Sequence, residues 1–501
     1  MRIIIVPPFF LARIHSMMKP YHWVLVWCLV AGIANAQTIN DAARFAAINP
    51  TGTARHVGVG SSMGVMGADF GALSQNPAGI GAFRWSEFNF TPAFSGLSVN
   101  SKFLSGTGSA TDQTNKFLIN NVGLVSVTRP QRGKWKTSNF AIGLNRLANY
   151  NRNFSIMGRS TGSITQRWVQ QASYLPPDAL GSFETLPAYV TGAIYDFDEN
   201  YQYESDYDLN PSAVTSKQQV VSASGGMSEL LIGLGANYDE KLLIGATVNI
   251  PFVNYEVRKT YQEDDDQNEI PYFEQLQFEE YVRTDGSGIH AKFGATYLLN
   301  EQVRVGASFH TPSVIKLNDT YTTDLTFSYQ EDNNIQTNTE NSPQGEYSYS
   351  YVLPMRAQLG VGILLGKNGF ISTELAWVPY QNAKFRFKDD KIYEGELNAQ
   401  IQDALQNGYQ VRAGAEWVLG YFRVRGGIQV ANNPYSSETG YNTGFSAGAG
   451  VRGNKVFFDV AYRYQHDRSD YSPYQLIEGP GQNIENTTQQ HLVMGTLGIK
   501  F

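Results

Sequence analysis

The chain has 501 residues, 42% of them hydrophobic but only 17% charged, well below the roughly 25% charged of an ordinary soluble domain. Mean hydropathy is -0.30 and no run of 18 apolar residues occurs, which excludes a bundle of membrane helices but not a membrane barrel, whose strands are apolar on one face only. A formal net charge of -7 argues against nucleic acid as a partner.

At the N-terminus, Met17, Met18 and Lys19 form a basic start, residues 24–33 an apolar core, and Ala34-Asn35-Ala36 a small-residue cleavage site before Gln37. This is the pattern of a secretory signal peptide spanning residues 1–36, and translation from Met17 or Met18 would suffice for it. The single cysteine, Cys28, falls inside that signal, and Trp27 before it is too large for a lipoprotein cleavage site. A mature chain without cysteine cannot use disulfides or thiolate-held metal, so neither a metal nor another cofactor is expected.

Residues 37–84 are rich in Gly and Ala and carry no convincing strand. Too short for an independent domain, they can be satisfied by packing inside a barrel wide enough to hold them. From residue 85 to 501 the sequence alternates. Val456, Phe458 and Val460 oppose Asp459 and Ala461, Val424 and Ile428 oppose Arg425 and Gln429, and Val303 and Val305 oppose Arg304 and Gly306, the period of strands with two unlike sides. Fourteen such segments are expected near 86–102, 121–129, 138–156, 227–239, 241–261, 273–299, 302–329, 346–366, 369–387, 409–419, 421–432, 442–452, 455–467 and 490–501.

A soluble sandwich would show the same alternation. Two features favour an all-β transmembrane barrel of the bacterial outer membrane instead. Aromatics such as Tyr409, Trp417, Trp377, Phe422 and Phe501 sit near the ends of the apolar faces, as an interfacial girdle requires. Very short connections (Asn300-Glu301, Leu419-Gly420) alternate with long polar ones (262–271, 330–345, 389–408, 469–489). The longest connection is expected at 157–226, with a helix over 164–175.

In the third segment, Phe140, Ile142 and Leu144 face lipid by alternation, which would put Arg146 towards hydrocarbon at about 2–4 kcal/mol. A one-residue bulge at Asn145 and Arg146 would turn the guanidinium to the lumen and bring Leu147 outward. Snorkelling of Arg146 to the interface is the alternative.

The run 71–81, with Asn76, Pro77 and Ala78 at its centre, resembles the hatch motif of the FadL/TodX family of outer-membrane transporters for hydrophobic compounds. Residues 288–295, His310-Thr311-Pro312-Ser313 and the closing strand ending in Phe501 extend the likeness over nearly the whole mature chain. The resemblance implies fourteen strands plugged by an N-terminal hatch. It also implies passive uptake of long-chain fatty acids or similar molecules, captured outside and released sideways where the third strand is kinked. Asn145 and Arg146 would then border that lateral opening.

Inward positions carry Lys292, Arg304, Arg356, Arg412, Arg423, Arg425 and Arg463. These cations could hold the carboxylate head of an amphiphile, or pair with Glu229, Glu374, Glu416 and Asp459 as a structural ladder. In the long connection, Trp168, Tyr174, Leu186, Tyr189, Val190, Ile194, Tyr195 and Phe197 are unusually apolar for an external loop. They could form a capture surface or a small core of their own. His466 and Asp467 lack a nucleophile or carboxylate partner at a readable spacing, so no enzyme is expected, and Glu263 to Asp266 read as a solvated loop tip. The expected protein is a monomeric transporter touching hydrophobic small molecules, outer-membrane lipid and lipopolysaccharide. The alternative is a barrel that holds protein cargo for a surface secretion system.

Overall fold

The computed structural model describes residues 37–49, 51–332, 334–438, 440–479 and 481–501, so the expected signal peptide lies outside the described residues. Fourteen antiparallel staves close into a barrel. In chain order they are β1 (Glu87–Phe103), β2 (Ser109–Thr128), β3 (Trp135–Asn149, continued by Arg152–Ser160), β4 (Thr215–Tyr238) and β5 (Leu242–Asp264). Next come β6 (Phe273–Leu298), β7 (Val303–His310, continued by Ser313–Glu331), β8 (Gly345–Leu353 with Arg356–Leu364) and β9 (Gly369–Pro379 with Lys384–Arg386). The last five are β10 (Asn407–Leu419), β11 (Phe422–Asn432), β12 (Tyr441–Arg452), β13 (Val456–Tyr471) and β14 (Ile484–Lys500). The barrel closes by pairing β14 with β1, from Glu87 opposite Lys500 to Phe103 opposite Ile484.

Period-2 alternation decides which side chains meet lipid. On β13, Val456, Phe458 and Val460 are exposed while Phe457, Asp459 and Ala461 are buried; β8 likewise exposes Leu359, Val361 and Ile363. A closed ladder leaves no open edge, so this apolar belt can face hydrocarbon without stranding backbone groups. The turns at one end are short. Gly366 and Gly420 adopt φ of +62° and +64° there, backbone that disfavours a side chain. By the usual polarity of such barrels this is the periplasmic end, and the long connections lie outside.

Several staves extend further than their apolar periodicity predicts. Residues 109–120 belong to β2, 157–160 to β3 and 215–226 to β4, so the long insertion covers 161–214 rather than 157–226. The reason is visible in the composition: apart from Phe117 and Ile119, which continue the lipid-facing belt, outward positions of these extensions are largely polar (Thr111, Gln113, Asn115, Gln218, Ser222), and the hydrophobic alternation that marks a stave fades. Within the insertion two helices pack together, Ile164–Ala172 and Thr185–Thr191, around the fully buried Trp168. That core also takes Phe278, Leu325 and Phe327 from β6 and β7.

The N-terminal segment plugs the lumen. Helix α1 (Ile39–Ala46) is capped by Thr38, whose side chain and Asp41 form a reciprocal capping box. Helix α2 (Ala54–Gly58) follows, then 3-10 turns at Gly71–Ser74 and Pro77–Ala82. Phe45 of α1 lies in an apolar core with Tyr150, Tyr255, Tyr351 and Phe385 from the barrel wall, which places this core inside the upper lumen.

Candidate functional site

Most inward cations hold the plug. Glu416 on β10 receives a bidentate pair from Arg55 of α2 (2.8 and 2.9 Å) and a further bond from Arg425 on β11 (2.6 Å), which also reaches Asp459 on β13 (2.8 Å). Lys292 on β6 pairs with Glu229 on β4 at 2.7 Å and donates to the Ser74 carbonyl at 3.0 Å. Arg412 lies 3.5 Å from Glu374, and Glu374 accepts the Val65 backbone N–H at 3.1 Å. Arg304 and Arg356 donate to the Met66 and Ile48 carbonyls, at 2.8 and 3.2 Å. The plug offers its unpaired backbone groups and the barrel answers with charge, which satisfies polar groups that would otherwise be buried alone.

Arg423 does none of this. Sequence alternation places it inward, but it stands at the periplasmic rim and donates to the carbonyls of Gly420 and Phe422 in its own turn, at 2.6 and 2.8 Å. Arg463 differs in the other direction. Its side chain is 95% buried, and its Nε and Nη1 have no hydrogen-bond partner among the described residues.

The motif at Asn76, Pro77 and Ala78 forms the seat of the second 3-10 turn. The Asn76 carboxamide accepts the Ala78 N–H at 3.0 Å and caps the turn, while Pro77 supplies the fixed φ of its first position. The turn presses on the wall so closely that a Cβ on Gly294 would stand 2.0 Å from Asn76 Oδ1.

Above the plug, two contiguous cavities of about 450 and about 310 Å³ share Asn49, Asn149, Arg152, Gln465 and Asp467. The larger has apolar wall from Leu118, Val221 and Leu492, aromatic wall from Tyr150 and Tyr255, and the guanidinium-bearing residues Arg44, Arg146, Arg152 and Arg463. Arg356 and His466 border the smaller one. Of the expected cations, therefore, only Arg463 and Arg356 reach this space; Arg44 on the plug and Arg152 were not anticipated. Arg44 lies outside the strands, where alternation gives no signal, and Arg152 follows a break in β3 that resets the alternation.

The larger cavity abuts a discontinuity in the wall. Pairing of β2 with β3 runs from Thr128–Ser138 to Asn121–Asn145 and stops there. Beyond that point β2 pairs with β1 and β3 with β4, until Arg159 of β3 bridges Thr107, just before β2, by two backbone bonds of 3.1 Å. Each strand carries an extra residue at this level. On β2 it is Asn120, skipped where Thr91 faces Asn121 and Pro92 faces Ile119; on β3 it is Leu147, skipped where Arg146 faces Ser228 and Ala148 faces Met227. The expected bulge exists, one or two residues later than the sequence placed it. Leu147 is buried against the plug rather than turned to lipid, and its carbonyl accepts the Asn49 N–H at 2.9 Å. Arg146 is half-buried at the cavity edge and donates to the Gly225 carbonyl at 3.3 Å. Asn145 belongs to the plug seat, donating to Ser74 Oγ at 2.7 Å. Further out the gap is bridged by side chains, Asn153 N–H to Thr114 Oγ1 (3.0 Å) and Ser155 N–H to Asp112 Oδ2 (2.6 Å).

In the external insertion the apolar residues divide. Trp168 and Ile194 are core, Leu186 and Tyr189 pack half-buried against it, Tyr195 is half-buried against the Phe197 ring, and Tyr174, Val190 and Phe197 are exposed at 75%, 52% and 84%. Half of the expected capture surface is thus the insertion's own core. Burial pushes the Asp206 carboxyl up to about 6, and it accepts a bond from the Tyr195 hydroxyl at 3.3 Å.

A fourteen-stranded outer-membrane barrel with an N-terminal plug and a break beside its third strand is the class of protein these features define. Its fold is similar to that of a FadL homologue from Pseudomonas aeruginosa, with a TM-score of 0.54 and 14% identity over 91% of this chain and 99% of that one. It is also similar to the toluene transporter TodX of P. putida, with a TM-score of 0.50 and 12% identity over 86% and 94%. The family described as BamG matches residues 199–419, from the end of the insertion through β10. No curated protein matches the sequence.

Proposed function

We propose that the chain is a passive, monomeric outer-membrane channel for hydrophobic small molecules, long-chain fatty acids among them, and that it performs no catalysis. The observation that carries this reading is the coincidence of an amphipathic cavity with the place where the β2–β3 ladder ends. An apolar chain can lie against Leu118, Val221 and Leu492 while an anionic head meets the arginines, and the break offers a way out into the bilayer. Water-filled passage to the periplasm is obstructed by the plug, so sideways release is the route that needs least rearrangement. Transport of toluene, a hydrophobic small molecule, is also what the name of one fold neighbour, TodX, describes for that protein.

The test is deletion of Leu147, which would bring the two faces of β3 back into register. Uptake of a radiolabelled fatty acid should fall at least tenfold while the barrel keeps its heat-modifiable migration. Unchanged uptake would sink the lateral route. Should the deletion block folding, a short bismaleimide bridge between Leu118→Cys and Ala148→Cys provides the same closure in a folded chain.

A second reading, a barrel that docks protein cargo, draws on the exposed aromatic tip formed by Tyr174, Phe197 and Tyr201. Replacing all three by Ser should leave fatty-acid uptake unchanged under the first reading and abolish surface secretion under the second.

A further inference from the structure

We infer that the outward face of β7, β8 and β9, just above the apolar belt, is a binding site for the phosphorylated headgroup of an outer-leaflet glycolipid. The inference rests on the barrel's orientation in the membrane and not on what passes through its lumen. Register sets the level. Ile289, Val314 and Val352 follow one another across adjacent strands, the last rung of apolar outward residues, and Lys384 lies on the same rung. The next rung outward reads Ser287, Lys316, Ser350 and Arg386. Lys316 and Arg386 therefore flank Ser350 two strand spacings apart, about 10 Å, at the boundary where hydrocarbon gives way to headgroups.

Above them an open cleft of about 470 Å³ is lined by Lys316, Asn318, Ser350, Arg386 and Lys388, with Asp285 at its margin. Asp285 is already committed, accepting from Arg283 and from the Asn254 carboxamide, both at 2.6 Å. Among the described residues none of Lys316, Lys384, Arg386 or Lys388 is paired with a carboxylate, and all four are exposed. Further out on β5, Arg258 of the outward face is paired with Glu279 at 3.5 Å. Four cations outside any salt bridge, Lys316 on β7 and Lys384, Arg386 and Lys388 on and just past β9, with the Ser350 hydroxyl and the Asn318 carboxamide between them, complement a phosphate held at a fixed depth. A guanidinium can grip it bidentately while the ammonium groups act as point charges.

The experiment is native mass spectrometry of the full chain, extracted from outer membranes, with phosphorylated and enzymatically dephosphorylated lipid A as probes. Wild-type protein should retain the phosphorylated form at least fivefold better than the dephosphorylated one. The pair Lys316→Glu and Arg386→Glu should lose that preference, while Lys316→Arg with Arg386→Lys keeps it and Arg258→Glu, further out on β5, leaves it unchanged. Heat-modifiable migration verifies that each variant is folded, and fatty-acid uptake measured in parallel separates this site from the lumen. Equal retention of both probes, equal loss in Arg258→Glu, or displacement of the lipid by inorganic phosphate below millimolar concentration would overturn the inference, the last by making the site one for a free anion.

Discussion

Arg55 on the plug and Glu416 on the barrel wall form a two-point ion pair, Nη2 to Oε1 at 2.8 Å and Nε to Oε2 at 2.9 Å, across 361 residues of sequence. Glu416 also receives Arg425, so one carboxylate anchors two guanidinium groups. Glu416→Gln should cost about 3–5 kcal/mol, the usual effect of stranding buried charge. Thermal unfolding by tryptophan fluorescence would measure the loss, and single-channel recording should show a rise in ion leakage as the plug loosens.

Arg463 should govern preference for an anionic head. Arg463→Glu is expected to weaken retention of a fatty acid by at least tenfold while changing that of an uncharged hydrocarbon less than twofold. Arg423→Glu, whose parent side chain closes its own turn, should alter neither. Equilibrium binding of both ligands to the two variants checks this.

Gly294 marks where plug and wall nearly touch. Gly294→Val must push Asn76 aside, since even a Cβ there would lie 2.0 Å from its Oδ1. Overpacking of this kind costs about 1–3 kcal/mol. Limited proteolysis from the periplasmic side should begin to cut within residues 71–82 in the variant and leave the parent intact.

Asp206 makes the insertion sensitive to pH. Its carboxyl is raised from 3.8 to about 6 by burial, so the folded insertion binds a proton more tightly than the unfolded one. The stabilisation is complete below about pH 4 and is lost as pH rises through about 6. Hydrogen exchange in residues 195–207 should quicken over that window, and Asp206→Asn should remove the dependence.

Staves, apolar belt and plug are legible in the sequence wherever membrane or tight packing imposes a pattern. Val456 to Ala461 reads as a strand because lipid on one side and a filled lumen on the other permit only alternation. The pattern weakens where those constraints end. Residues 215–226 stand above the bilayer, so nothing forces their outward positions to be apolar, and the stave is invisible until its pairing is seen. The third-strand bulge was readable because an arginine in register with lipid is costly, yet the extra residue is Leu147: the plug, not the membrane, decides which side chain the bulge turns inward. Lumen cations are readable as a class but not by role. Arg425 and Arg463 occupy equivalent alternation positions, and only the three-dimensional distribution of carboxylates separates an anchored residue from a free one.

The Ala54 backbone N–H of the plug donates to Thr496 on the final strand at 2.7 Å, and the same hydroxyl meets Thr91 on the first strand at 2.8 Å. A single side chain thus joins the plug, the first strand and the last at the seam where the sheet closes. The plug cannot complete its seat before the last stave arrives, nor can it enter easily once β14 has zipped to β1. The last step of plug docking and the sealing of the seam thus share the same hydroxyl. A nascent chain halted before residue 496 would leave α2 without this anchor.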